Sequence, residues 1–242
     1  MRARHRHFNP RFAGADLVLD SRYINQADNT AVTSWADRSA NAFNADQTTP
    51  ANQPTFQTNE VASNGVVRFD GSNDFLTCGD NLDILTRSVT MIGVAKFAST
   101  AEGCICGKAA AIGAAGRYSI HRTGSSFRAL WNDVGTFPTD KASDTSTSWR
   151  INTQTVERNV ANTLFWDGAQ QAQQTGLSGT TSYDTIFPFF VGAYQSPNST
   201  GTPPIIPING DIAQVVVMFS FNTPLRRRLE HAAAYSFKIA CS

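Results

Sequence analysis

Val67-Arg68-Phe69-Asp70-Gly71-Ser72-Asn73-Asp74-Phe75-Leu76 decides the fold class. Two runs of β character, 65–69 and 75–78, flank Asp70-Gly71-Ser72-Asn73, and Asp, Gly, Ser and Asn are the residues that reverse a chain tightly. Further along, Leu164-Phe165-Trp166-Asp167-Gly168-Ala169 repeats the scheme, with Asp-Gly supplying the positive φ angles of a two-residue hairpin. Other short runs at 16–19, 88–97, 117–121, 126–132, 148–154, 187–192 and 211–221 are bounded by similar turn residues. About ten or more strands at such spacing predict an antiparallel sandwich.

Between these runs, 48–64, 135–147 and 195–207 read as polar loops, the last stiffened by Pro197, Pro203, Pro204 and Pro207. One helix is expected at the end of the chain. Thr223 is its N-cap and Pro224 its first residue, with Leu225, Leu229, Ala232 or Ala233, and Phe237 on one face. Arg226, Arg227 and Arg228 then fall on the outward side of its first turns, where cations oppose the helix dipole and invite a partner.

Composition fits the all-β reading. Of 242 residues only 16% are charged, against roughly 25% in an ordinary globular protein. Ser, Thr, Asn and Gln number 73 and must cover the surface, which suits strands and turns better than charged helices. A net charge of +1 provides no broad field to gather nucleic acid or an anionic membrane. The basic residues concentrate in an N-terminal arm, 1–12, that carries Arg2, Arg4, Arg6 and Arg11; residues 13–242 read as one domain.

The first apolar stretch, 13–19, is broken by Asp16 and stopped by Asp20, so no signal peptide is expected. No run approaches the roughly 20 apolar residues of a membrane span. Four cysteines, Cys78, Cys104, Cys106 and Cys241, fit neither a zinc spacing nor a disulfide framework and read as small buried thiols. The sequon Asn198-Ser199-Thr200 reads as loop sequence.

Several segments in order resemble the concanavalin A-like, laminin-G-like jelly-roll domains. These are Asp20, then Trp35-Ala36-Asp37-Arg38-Ser39, Gln47 with Pro54, and the 67–76 segment. The series continues with 149–155, the Asp167-Gly168 hairpin, Phe190-Val191-Gly192, and Asn209-Gly210-Asp211-Ile212-Ala213-Gln214-Val215-Val216-Val217 before the terminal helix. The resemblance covers nearly everything from Asp16 to Lys238. It departs at Gln214, where many members carry Glu. It implies a two-sheet antiparallel jelly roll with one short C-terminal helix, in a family whose members are lectins, glycoside hydrolases, adhesion modules and structural domains of bacteriophage particles.

Function must come from residues. Retaining glycoside hydrolysis needs two carboxyls roughly 5 Å apart. The only glutamates, Glu60, Glu102, Glu157 and Glu230, are dispersed, so no strand carries the family's acid and nucleophile. Gly176-Leu177-Ser178-Gly179-Thr180 lacks the last Gly of a nucleophile elbow, and Gly103-Cys104-Ile105-Cys106-Gly107-Lys108 has the wrong spacing for a phosphate loop. His121 reads as structural and pairs with no metal-ligand motif. No enzyme and no cofactor are expected; Ca²⁺ is a candidate, for which Asp70, Asp74, Asp80 and Asp83 supply oxygens, but the Asp70-Gly71 turn by itself accounts for most of that composition. The candidate glycan site is Trp131 with Asn132 and Asp133, or Tyr194.

Two readings follow. In the first, the chain is a non-enzymatic structural or decoration protein of a bacteriophage virion. It attaches to capsid or tail proteins as a homo-oligomer through its basic arm and the helix arginines, and presents a surface for a cell-surface glycan. The alternative is a carbohydrate-binding, lectin-like module.

Overall fold

The computed structural model describes residues 14–108, 117–124, 126–132, 136–141, 144–177, 185–194 and 206–242. In chain order its strands begin with β1 (Leu17–Asp20), β2 (Thr30–Ala31), β3 (Ser34–Trp35), β4 (Ala45–Asp46), β5 (Thr55–Val61) and β6 (Asn64–Asp70). Next come β7 (Leu76–Thr77), β8 (Val89–Phe97), β9 (Gly103–Lys108), β10 (Arg117–Thr123), β11 (Ser126–Asn132) and β12 (Thr136–Lys141). The last are β13 (Arg150–Glu157), β14 (Ala161–Trp166), β15 (Ala169–Thr175), β16 (Phe189–Val191) and β17 (Asn209–Met218), followed by helix α1 (Thr223–Phe237).

These strands form two antiparallel sheets. The first has the order β15-β14-β13-β8-β17-β6-β5-β2, with β1 pairing the second half of β17. The second has the order β12-β11-β10-β9-β16-β7-β4-β3. Sequence neighbours such as β8 and β9 lie in different sheets, so the chain crosses repeatedly from one sheet to the other. That is the expected jelly-roll sandwich with its C-terminal helix.

The core lies between the sheets, where Trp35, Phe69, Tyr118, Phe127, Trp131 and Phe189 are almost fully buried. A second apolar layer, including Ile92, Val94 and Val216, fills the space between the outer face of the first sheet and Leu229, Ala233 and Phe237 of α1. This explains why the end of the chain shows a continuous apolar run rather than alternation. Around a bulge at 212–214, β17 points Ile212, Val215 and Val217 into the sandwich and Ala213, Val216 and Met218 toward the helix, so both faces are buried. Buried amides also tie the sheets together: Gln154 donates to the Leu130 carbonyl and Asn162 to the Ala129 carbonyl, each at 2.8 Å.

Gln214 has a local reason. It sits in register with Asp20 and donates to Asp20 Oδ2 at 3.1 Å, while Arg22 holds the same carboxylate. A glutamate there would bring a second negative charge against a carboxylate that is 1% exposed, whereas the amide supplies a donor. Gly192 is equally determined: its φ is +79°, and an added Cβ would lie 2.0 Å from the Phe69 ring.

Some expectations shift. The N-cap of α1 is Asn222, which has extended backbone and accepts from Leu225 N at 2.9 Å, one residue before the expected Thr223. Segment 48–64 contains β5, masked in the sequence by Gln57, Thr58, Asn59 and Glu60, because only one face of that strand near the sheet edge meets the core. Segment 135–147 contains β12 despite Pro138, which an edge strand tolerates. The buried β9 was not expected as a strand, and β15, the second strand of the Asp167-Gly168 hairpin, was expected only as far as that turn implied it.

Candidate functional site

Helix α1 packs on the outer face of the first sheet through Leu229, Ala233 and Phe237, whereas no helix among the described residues lies on the outer face of the second sheet. On β10 and β11, Tyr118, Ile120, Phe127, Ala129 and Trp131 point into the core. By alternation Arg117, Ser119, His121, Arg128 and Leu130 point outward. The register pairs Ser119 with Leu130 and His121 with Arg128. Cys104, Leu130 and Tyr194 form a small apolar cluster on this face, with Ile206 packed against it.

A cleft of about 180 Å³ opens over that cluster, lined by Glu102, Arg117, His121, Arg122, Thr123, Arg128, Leu130, Tyr194 and Ile206. Its floor is rigid. The His121 ring stacks on Tyr194 with centroids 5.7 Å apart and planes 9° from parallel, and His121 Nδ1 bonds Ser119 Oγ at 2.9 Å. Arg117 lies over the Tyr194 ring at 5.8 Å. At the rim Thr123 Oγ1 donates to Glu102 at 3.0 Å. Polar donors and acceptors thus surround an apolar, aromatic floor, the arrangement by which small-ligand sites fix orientation.

Two larger clefts carry charged groups that are already engaged with one another. One of about 400 Å³ is bordered by Arg68, Lys96 and Asp211, but Asp211 already binds Arg68 at 2.6 Å and Lys96 at 2.9 Å. The other, about 510 Å³, lies beside Trp166 and the residues 240–242. There Arg150 covers the Trp166 ring at 4.2 Å and Asp167 accepts from Ile151 N at 2.8 Å.

The sequence-derived candidates scatter. Tyr194 lies in the cleft floor. Trp131 does not reach the surface: at 1% exposure it belongs to the inter-sheet core, because strand alternation places 127, 129 and 131 inward. Asn132 ends β11 opposite Arg117 with its side chain outside the described residues, and Asp133 lies outside them altogether. Arg2, Arg4, Arg6, Arg11 and the sequon 198–200 also lie outside them.

Arg226 is not an outward residue. It is 4% exposed, pairs with buried Glu230 and stacks over Phe165 at 3.9 Å, since positions 226, 229, 230, 233 and 237 form the sheet-facing stripe. Arg227 and Arg228 do stand exposed on α1.

The four candidate calcium carboxylates have other partners. Asp70 Oδ1 accepts from Ser72 N and Asn73 N, and Asp74 Oδ2 from Asp70 N, so this pair shapes its own turn. Asp80 and Asp83 instead hold the buried Lys108 ammonium at 3.0 and 3.1 Å. Among the described residues no group of three or more His, Cys, Asp or Glu is placed to hold a metal ion. Burial pushes the Cys106 thiol up to about 12 and raises those of Cys78 and Cys104.

Asp74 gives a pH test. Burial foremost, then the Asp70 charge, push its carboxyl up to about 6, against the opposing bond from Asp70 N. The folded state therefore favours the protonated acid, and this contribution, complete below about pH 4, is lost as pH rises through about 6. Asp74→Asn keeps an acceptor without the charge. Its stability relative to the parent should rise by about 1–2 kcal/mol between pH 4 and 7.5, discounting the full shift for solvent screening at a surface turn. Parallel urea titrations at the two pH values check this, and a pH-independent difference refutes it.

Arg117, Arg128, Glu102 and Thr123 were not found from sequence. The alternation Arg117-Ser119-His121 was the available signal, but nothing local marks which face of β10 is solvated.

No protein-family model and no curated protein matches the sequence. Among solved structures, Trypanosoma rangeli sialidase in complex with sialic acid is similar at a TM-score of 0.61 and 16% identity, over 95% of this chain and 34% of that one. The botulinum neurotoxin serotype D binding domain is similar at 0.58 and 10% identity, over 91% of this chain and 51% of that one. The same serotype's ligand binding domain in complex with N-acetylneuraminic acid matches at 0.58 and 14%, over 90% and 51%. This chain therefore spans between a third and a half of those proteins, and at such identities the likeness is one of fold.

Proposed function

We propose that this chain is a non-catalytic glycan-binding module whose site is the cleft on the outer face of the second sheet. The observation that carries this is the cleft itself, in which arginine, glutamate and threonine side chains border an apolar floor of Leu130, Tyr194 and Ile206. Among the described lining residues Glu102 is the single carboxylate, and the two-carboxyl route to glycoside hydrolysis needs a pair. Similar folds solved with sialic acid and with N-acetylneuraminic acid support a sugar as ligand.

Thr123 is partly exposed at the rim, so Thr123→Trp should fill the cleft without entering the core. On a glycan array the parent chain should bind a defined subset of sugars, and the variant should lose that binding with an unchanged melting temperature. Binding that survives the substitution places the site elsewhere.

A second, finer reading sets the module on a bacteriophage virion as a symmetric decoration protein. Exposed Arg227 and Arg228 on α1 favour it, because the helix lies on the opposite side of the sandwich from the cleft, which frees one side for attachment. This reading expects the chain at fixed stoichiometry on purified particles, and a chain found free beside them overturns it.

A further inference from the structure

Of the strands that end the two sheets, all but one carry the devices that keep sheet edges from pairing. β2 and β3 are each two residues long, and β12 contains Pro138, Asp140 and Lys141. β15 differs. Its seven residues, Ala-Gln-Gln-Ala-Gln-Gln-Thr, hold no charge and no proline, and Gln170, Gln173, Gln174 and Thr175 are exposed. Among the described residues only β14 pairs with it, so its other side is open.

The backbone groups on that open side follow from the ladder. Gly176 N donates to Val160 O at 3.0 Å, so 176 and 160 form a hydrogen-bonded pair. By alternation Gln174 and Ala172 also bond β14, whereas Gln173 and Thr175 turn their N–H and C=O groups away from it. The Thr175 carbonyl accordingly takes the exposed Gln174 amide, at 3.2 Å. Toward the hairpin, the bulge at Gln171 twists the strand and ends this regular stretch.

An antiparallel two-fold pairing centred on Gln174 fits such an edge. Gln173 of each copy then faces Thr175 of the other with two backbone hydrogen bonds, and Gln174 faces Gln174. A glutamine amide both donates and accepts, so like against like is satisfied, whereas like charges directly opposite repel.

We infer that β15 is a self-association edge through which two copies of this chain pair and continue the first sheet. Few residues take part, so the dimer is weak and exchanging, with a dissociation constant of roughly 10–100 µM. This edge is separate from the cleft, which lies on the second sheet.

Sedimentation velocity over a concentration series tests this. The parent should pass from monomer to dimer and stop there. Gln174→Lys sets two ammonium groups against each other, and Gln173→Pro removes an edge N–H without breaking a bond to β14; each should weaken association at least about 10-fold. Melting temperatures are read alongside, and the lysine variant, changed only at an exposed side chain, remains informative if the proline one folds poorly. For the register, Gln174→Cys in a Cys241→Ser background should link into a disulfide dimer on air oxidation, because a non-hydrogen-bonded pair brings its Cα atoms to about 4.5 Å. Gln170→Cys, outside the paired stretch, should not.

A parent that stays monomeric at about 1 mM overturns the inference. A dimer that persists in both edge variants also overturns it, since the contact then lies on another surface. Mass that keeps growing with concentration replaces two-fold closure by open-ended association and counts against it equally. Gln170→Cys linking as readily as Gln174→Cys overturns the pairing centred on Gln174.

Discussion

Asp144→Ala should destabilise the fold by about 3–5 kcal/mol, the cost of stranding a buried charge. Arg122 is 1% exposed, lies over the Phe97 ring at 4.3 Å, and donates to Asp144 Oδ2 at 2.9 Å and to the Ser99 and Ser146 carbonyls at 2.7 Å. Asp144, itself 4% exposed, is the carboxylate that neutralises it, and also receives Arg150 at 2.8 Å. Without that carboxylate the guanidinium keeps only carbonyl acceptors, which do not offset the loss of water around a full charge.

In a chain of this length the loss corresponds to a fall in melting temperature of roughly 6–20 °C. The double variant Arg122→Met, Asp144→Ala should recover part of it, since apolar replacement of both partners removes the stranded charge. Urea unfolding of the two singles and the double measures the coupling. A cost below about 1 kcal/mol for Asp144→Ala would show that the pair contributes little.

Asp37→Ala should cost about 3–4 kcal/mol. Its carboxylate accepts from Val18 N at 2.8 Å, Ser39 N at 2.8 Å, Ser39 Oγ at 2.6 Å and Phe43 N at 2.9 Å. Hydrogen bonds to a charged acceptor contribute about 1.5–3 kcal/mol each, though such sums are not additive. Val18 belongs to β1, so deleting the carboxylate unpins that strand from the loop after β3 and leaves buried N–H groups unpaired. Asp37→Asn keeps only one accepting oxygen and turns an NH₂ toward a donor, so it should cost at least half as much. Hydrogen exchange reports the mechanism: the Val18 amide should lose protection in both variants, and retained protection would assign the destabilisation to another cause.

Asp37 also illustrates what was legible beforehand. Trp35-Ala36-Asp37-Arg38-Ser39 marked a family resemblance, and its residues turn out to be a core tryptophan, a four-donor acceptor and a buried serine, all parts of one local device. The Asp70 turn and the Asp167-Gly168 hairpin formed as expected, because their backbone needs are met by the residues within them. Expectations that depended on a distant element fared differently. The outward placement of Arg226 failed because Glu230 and Phe165 claim it. Trp131 is large and aromatic in any setting, but only its place in β11 decides that it faces the core.

The sequence by itself determined that this chain is an antiparallel sandwich closed by a helix, since turn chemistry, strand character and capping act over a few residues. Tertiary structure alone decided which sheet face α1 covers, that the clustered aspartates divide between a turn and Lys108, and that Arg117, Arg128, Glu102 and Tyr194 border one cleft. The physical reason is separation along the chain. These groups come from β10, β11 and two distant loops, and pairing across strands brings them together without any residue announcing its partner.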